Sequence, residues 1–130
     1  RLSRDIRKKL DAIRMLIPFV DDFELKHGAI IKEKIKRAQE IILGSEYFPR
    51  IKRIILFGSV VERQLSFRSD IDIAVEFGII TEKEAFKFRL DILRDISDKM
   101  DIQVYNVLPE KIKKEINKKG RVLYERKGQR

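Results

Sequence analysis

The stretch Ile51-Lys52-Arg53-Ile54-Ile55-Leu56-Phe57-Gly58-Ser59, followed after ten residues by Asp70-Ile71-Asp72-Ile73-Ala74-Val75, decides the fold. The unbroken apolar run Ile54 to Phe57 suits a strand covered on both faces, and it stops on Gly58. In the second segment Ile71, Ile73 and Val75 alternate with Asp70, Asp72 and Ala74, the period of a strand with one apolar face. Two strands joined through a turn at Gly58 and Ser59 that opens a helix are therefore expected at the centre of the chain.

Downstream, Thr81 and Glu84 form a capping box that opens a helix with Phe88, Ile92 and Ile96 facing inward. A third strand is expected over Asp101 to Tyr105, where Ile102 and Val104 oppose Asp101, Gln103 and Tyr105. Pro109 stands at the first position of a further helix carrying Ile112 and Ile116, Gly120 ends it, and a strand Val122 to Tyr124 precedes a frayed basic tail. Upstream, Leu2, Ile6, Leu10, Ile13 and Ile17 fall on one helical face. After Pro18, Asp21 and Asp22, the residues Ile31, Ile35, Ala38 and Ile42 repeat that spacing up to Gly44, with Asp21 and Asp22 as caps of this second helix. The chain reads as one domain over 1–130, an N-terminal helical hairpin (1–45) ahead of an α+β or α/β body (51–126).

Composition narrows the chemistry. The 130 residues hold no cysteine and a single histidine, His27, so disulfides, thiolate metal sites and an all-imidazole zinc site are excluded. Any metal must be held by oxygen. No run approaches the roughly 20 apolar residues of a membrane span, and Arg1 to Asp5 begin no signal-peptide core, so a cytoplasmic protein without a membrane partner is expected. The formal charge of +9 fits an anionic partner, and it fits equally the Lys, Arg, Glu and Ile bias of heat-adapted surfaces. The lysines Lys111, Lys113, Lys114, Lys118 and Lys119 read as a solvated helical face, and Tyr105 and Tyr124 as packing residues.

Three carboxylates fall on two of the expected strands. Asp70 and Asp72 share a face turned from Ile71 and Ile73, and Asp101 opposes Ile102. Gly58 and Ser59 follow a buried strand directly, where a small pair lets the backbone turn sharply and present N–H groups and a hydroxyl to a phosphate. With the strands adjacent, the turn would hold a polyphosphate while the carboxylates hold the metal that bridges it.

The pattern Leu56-Phe57-Gly58-Ser59, ten residues, Asp70-Ile71-Asp72, then Asp101-Ile102-Gln103-Val104 resembles the DNA polymerase β-like nucleotidyltransferases, and among them the minimal nucleotidyltransferases. The resemblance runs from about Ile51 to Arg126, including Gly120-Arg121-Val122-Leu123-Tyr124-Glu125 near the end. It implies a nucleotidyltransferase fold, a small mixed sheet with packed helices. Asp70, Asp72 and Asp101 would be catalytic and ligate two Mg²⁺ ions, with Gly58 and Ser59 binding nucleotide. The family often carries small-Arg-Gly after Gly-Ser-x, whereas this chain reads Val60-Val61-Glu62-Arg63-Gln64. Arg63 is displaced by one position, about 100° on a helix, so Arg63 and Arg68 are both candidates for the triphosphate.

The same resemblance implies a use. Minimal nucleotidyltransferases frequently act as antitoxins that transfer AMP from ATP to a tyrosine of a HEPN-domain toxin. Two other readings remain at this point: a non-catalytic module that binds a toxin or nucleic acid, and a transferase acting on RNA or a small molecule. The N-terminal helices are the candidate surface for a homodimer or a partner chain.

Overall fold

The computed structural model describes residues 25–58, 71–96 and 100–127. Within them lie helix α1 (Leu25–Leu43), strands β1 (Ile51–Phe57) and β2 (Ile71–Phe77), helix α2 (Glu82–Asp95), strand β3 (Met100–Val104), helix α3 (Glu110–Lys119) and strand β4 (Arg121–Glu125). The helix expected over Arg1 to Ile17, the caps Asp21 and Asp22, and the first half of the expected hairpin lie outside the described residues.

The four strands form one mixed sheet in the order β3-β2-β1-β4. Strand β1 runs antiparallel to both β2 and β4, while β2 and β3 are parallel, as a strand pair joined through a crossover helix must be. That helix is α2, opened by the expected capping box: the Thr81 hydroxyl accepts from the Glu84 N–H at 3.1 Å, and the Glu84 carboxylate accepts from the Thr81 N–H at 3.0 Å.

Alternation sends the two faces of the sheet to different fates. Ile54, Leu56, Ile71, Ile73, Val75, Phe77, Ile102 and Val104 pack beneath Ile35, Ala38 and Ile42 of α1 and Ala85, Phe88 and Ile92 of α2. Phe77 and Phe88 meet edge to face at 5.0 Å, and Tyr47 closes on Phe88 at 4.9 Å, a cluster in which each buried ring contributes about 1.5–3 kcal/mol. The Tyr47 hydroxyl donates to Asp91 at 2.8 Å; burial first, then that bond, pushes its pKa up to about 12. On the opposite face Ile55, Ala74 and Ile116 of α3 are buried together, with Phe57, Tyr105 and Leu108 against them. Thus β1 is covered on both faces at Ile54 to Leu56, as its continuous apolar run predicts.

Four elements and one tail differ from expectation at their boundaries. Strand β2 continues to Phe77, because Arg53 of β1 pairs with Glu76 and the Asn106 amide exchanges two 2.8 Å bonds with the Phe77 backbone. Strand β3 starts at Met100 and ends at Val104, and Tyr105 begins a 3₁₀ turn through Val107. Pro109 is the N-cap of α3 rather than its first residue, since its ψ of 151° is extended. Strand β4 is two residues longer than expected. Arg126 is pinned rather than frayed: its Nε donates to the Ile51 carbonyl at 3.1 Å, a terminal nitrogen donates to the Phe48 carbonyl at 2.6 Å, and the guanidinium lies over the Phe48 ring at 5.1 Å. At the same end of the sheet Arg50 forks onto Glu84 at 3.0 and 3.1 Å; this bond first, and then the Thr81 N–H, hold the Glu84 carboxyl down at about 2.

Candidate active site

Helix α3 covers the far end of the second face, where Arg53 pairs with Glu76 of β2. There the Tyr105 ring lies between the Arg53 guanidinium at 5.2 Å and Lys113 Nζ at 5.6 Å, and its hydroxyl accepts from Asn117 at 2.8 Å. Lys113 therefore leaves the solvated row in which its spacing placed it, and the Tyr105 hydroxyl is engaged in packing as expected.

The near end of that face carries the acids. In register, Asp72 of β2 stands beside Phe57 of β1 on one side and Asp101 of β3 on the other. Residues paired across neighbouring strands point to the same face, so the two carboxylates project together from adjacent strands. Asp101 is 46% exposed at its side chain, accessible to a ligand arriving from solvent.

Gly58 ends β1 against this pair. Its φ of +84° is the left-handed region in which a side chain is strained. A Cβ built there would lie 2.2 Å from Asp72 Oδ2 and 3.2 Å from its Cγ. The glycine thus serves two ends at once, turning the chain out of the strand and leaving room for the carboxylate beside it.

A family model described as polymerase beta, nucleotidyltransferase, matches residues 31–129, most of the chain. The chain belongs to this nucleotidyltransferase family. Among solved structures, a candidate nucleotidyltransferase from Sulfolobus solfataricus aligns with a TM-score of 0.55 at 23% identity over 98% of this chain and 93% of that one. A toxin–antitoxin structure with AMP-PNP aligns at 0.54 and 20% identity over 73% of each chain. A complex of tri-AMPylated Shewanella oneidensis HEPN toxin with MNT antitoxin aligns at 0.52 and 19% identity, over 72% of this chain and 73% of that one. At these identities the likeness is one of fold, and it agrees with the mixed sheet and packed helices described above. No curated protein matches the chain.

The nucleotidyltransferase reading places Ser59, Arg63, Arg68 and Asp70 in 59–70, outside the described residues. Of the seven candidates the structure brings together Gly58, Asp72 and Asp101. Among the described residues no three Asp, Glu, His or Cys side chains cluster as a metal site, and the third acid of the expected set is Asp70. The donor set nevertheless fits Mg²⁺: oxygen ligands alone, two carboxylates in register, and beside them a glycine whose missing side chain leaves the Asp72 carboxylate its place.

Two further residues touch this site. Gln103 Nε2 donates to both Asp101 oxygens, at 2.9 and 3.0 Å. Arg89 of α2 donates from Nε to the Ile102 carbonyl at 2.7 Å and brings a terminal nitrogen to 3.9 Å from Asp101 Oδ1. Gln103 was visible in the sequence as the next residue on the Asp101 face. The helical spacing held a signal for Arg89: four residues after Ala85 and three before Ile92, it borders the buried face of its helix, whereas the exposed cations Lys83, Lys87 and Arg94 lie on the opposite side.

Proposed function

We propose that the chain is a single-domain, cytoplasmic, Mg²⁺-dependent transferase that moves AMP from ATP to a tyrosine hydroxyl of a HEPN-type toxin, and so acts as an antitoxin. The observation that carries this is the registered pair Asp72 and Asp101 with Gly58 packed on the Asp72 carboxylate. The assignment of the acceptor draws on the toxin–antitoxin complexes whose fold the chain shares, one of them with an AMPylated HEPN toxin.

In the proposed reaction the tyrosine oxygen attacks the α-phosphorus of ATP, an O–P bond forms, the bond to the bridging oxygen breaks, and pyrophosphate leaves. Two bound Mg²⁺ ions would supply charge stabilisation at both the attacking and the leaving oxygen. Asp70, Asp72 and Asp101 would hold them, Asp72 from an inner strand and Asp101 from the edge. Asp101, with its side chain 46% exposed, would orient the incoming hydroxyl and accept its proton directly or through water. The turn at Gly58 and Ser59, with Arg63 and Arg68, would bind the triphosphate.

The test is to incubate the chain with α-labelled ATP, Mg²⁺ and the protein encoded beside it. Label should appear on a tyrosine of that neighbour and should vanish with Asp72→Ala. Equal labelling by the variant would refute the assignment, and label on RNA alone would move the acceptor to another class.

A further inference from the structure

Among the described residues strand β3 is an edge of the sheet, so Asp101 has a neighbouring strand there on one side. Its carboxylate is nevertheless engaged by a side chain of its own strand. The amide nitrogen of Gln103, two residues on and on the same face, reaches both oxygens almost equally, at 2.9 and 3.0 Å. Only the nitrogen end of the amide can face a carboxylate, because its carbonyl oxygen would repel it. The register partner of Gln103 is Ala74, a buried methyl that offers no competing acceptor. Behind the strand, Arg89 fastens the Ile102 carbonyl at 2.7 Å, fixing the backbone between the two residues.

The chemistry of the donor matters as much as its position. A lysine or arginine in this place would orient the carboxylate equally well, but its charge would repel an arriving cation. Glutamine donates while leaving the full negative charge of Asp101 available. Arg89 stays at 3.9 Å from Oδ1, beyond hydrogen-bond distance.

We propose that Gln103 is a positioning residue that aligns the Asp101 carboxylate for a divalent cation through its neutral side-chain amide. This rests on the assignment of Asp101 as a ligand made above. Partners of ligating carboxylates commonly change metal affinity by about 10–100-fold when removed.

The test measures Mn²⁺ binding by electron paramagnetic resonance in the full chain, in Gln103→Leu, in Asp101→Ala and in the double variant, with circular dichroism to confirm folding. Leucine keeps the bulk of glutamine and removes its donor, and position 103 is half-buried. Gln103→Leu should weaken Mn²⁺ binding about tenfold, and the double variant should bind no more weakly than Asp101→Ala alone. Unchanged or tighter binding in Gln103→Leu, while Asp101→Ala still loses affinity, overturns the role of Gln103 and leaves Asp101 as a ligand. A Gln103→Leu loss that persists in full on the Asp101→Ala background overturns it as well. Unchanged binding in Asp101→Ala refutes the ligand assignment itself, and the positioning role with it.

Discussion

Replacing Gly58 by alanine separates stability from chemistry, because the two costs at this position have different sizes. At a φ of +84° a side chain costs about 1–2 kcal/mol of backbone strain. For a chain of this length each kcal/mol moves Tm by roughly 3–4 °C, so strain alone lowers it by about 3–8 °C. The second cost falls on Asp72. The added Cβ would lie 2.2 Å from Oδ2, whereas carbon and oxygen rest at about 3.2 Å or more, so the carboxylate must move by about 1 Å. Misplacing a catalytic group by 1 Å costs on the order of 100-fold in rate. Gly58→Ala should therefore remain folded at 25 °C, lose about 100-fold in AMP transfer from α-labelled ATP, and bind Mn²⁺ more weakly in calorimetry. Gly120→Ala is the control. Its Cβ would meet the Ile116 carbonyl at 2.5 Å and Ile55 Cγ2 at 2.7 Å, away from the acids, so it should lower Tm with little change in the rate of the folded protein. A Gly58→Ala variant with near-normal turnover would refute the account of the site. So would a Gly120→Ala variant as inactive as Gly58→Ala at a temperature where both are folded.

Three further outcomes follow from packing and charge. Gln39 is fully buried, its Oε1 has no hydrogen-bond partner among the described residues, and its Nε2 reaches the Leu123 carbonyl only at 3.5 Å, so Gln39→Leu should raise stability by about 1 kcal/mol in urea denaturation. Glu84→Gln keeps a side chain that can complete the capping box and removes the charge paired with Arg50. Because folding depresses the Glu84 pKa to about 2, its contribution is present above the ordinary glutamate pKa and is lost as pH falls from there toward about 2; the variant should flatten the Tm-against-pH curve in that window, and an unaltered curve would count against the pair. Tyr47→Phe deletes the bond to Asp91 and should cost about 1 kcal/mol while removing the tyrosinate step near pH 12 from the absorbance titration.

Local signals in the sequence transferred well to local structure. The alternation at Ile71, Ile73 and Val75 located β2 and assigned its faces, and Thr81 with Glu84 placed the start of α2. What the sequence left open depends on distant partners. Periodicity says nothing about the order β3-β2-β1-β4, since pairing is set by which apolar faces can share one core. It missed the Arg126 anchor because the two carbonyls that hold it, Ile51 and Phe48, lie more than seventy positions away. At the site, the acids were legible through their strand period, whereas Arg89 gained its role from a crossover that folds α2 back along β3.

The two described acids are held by different means, and the sheet explains why. Asp72 lies on an inner strand, between buried Ile71 and Ile73, with a paired strand on either side. Its backbone is fixed by two ladders, and the glycine beside it leaves the carboxylate its space. Asp101 lies on the edge, where one ladder holds the strand and, among the described residues, the outer side has no neighbouring strand to restrain it. An edge strand is the more easily displaced, and it is also the side from which a bulky acceptor can approach. Side chains supply what the missing ladder does not: Arg89 on the Ile102 carbonyl and Gln103 on the carboxylate. An accessible acid on an open edge can keep its aim only if such contacts replace the absent strand, so loss of the Gln103 amide should be felt at Asp101 before it is felt in the fold.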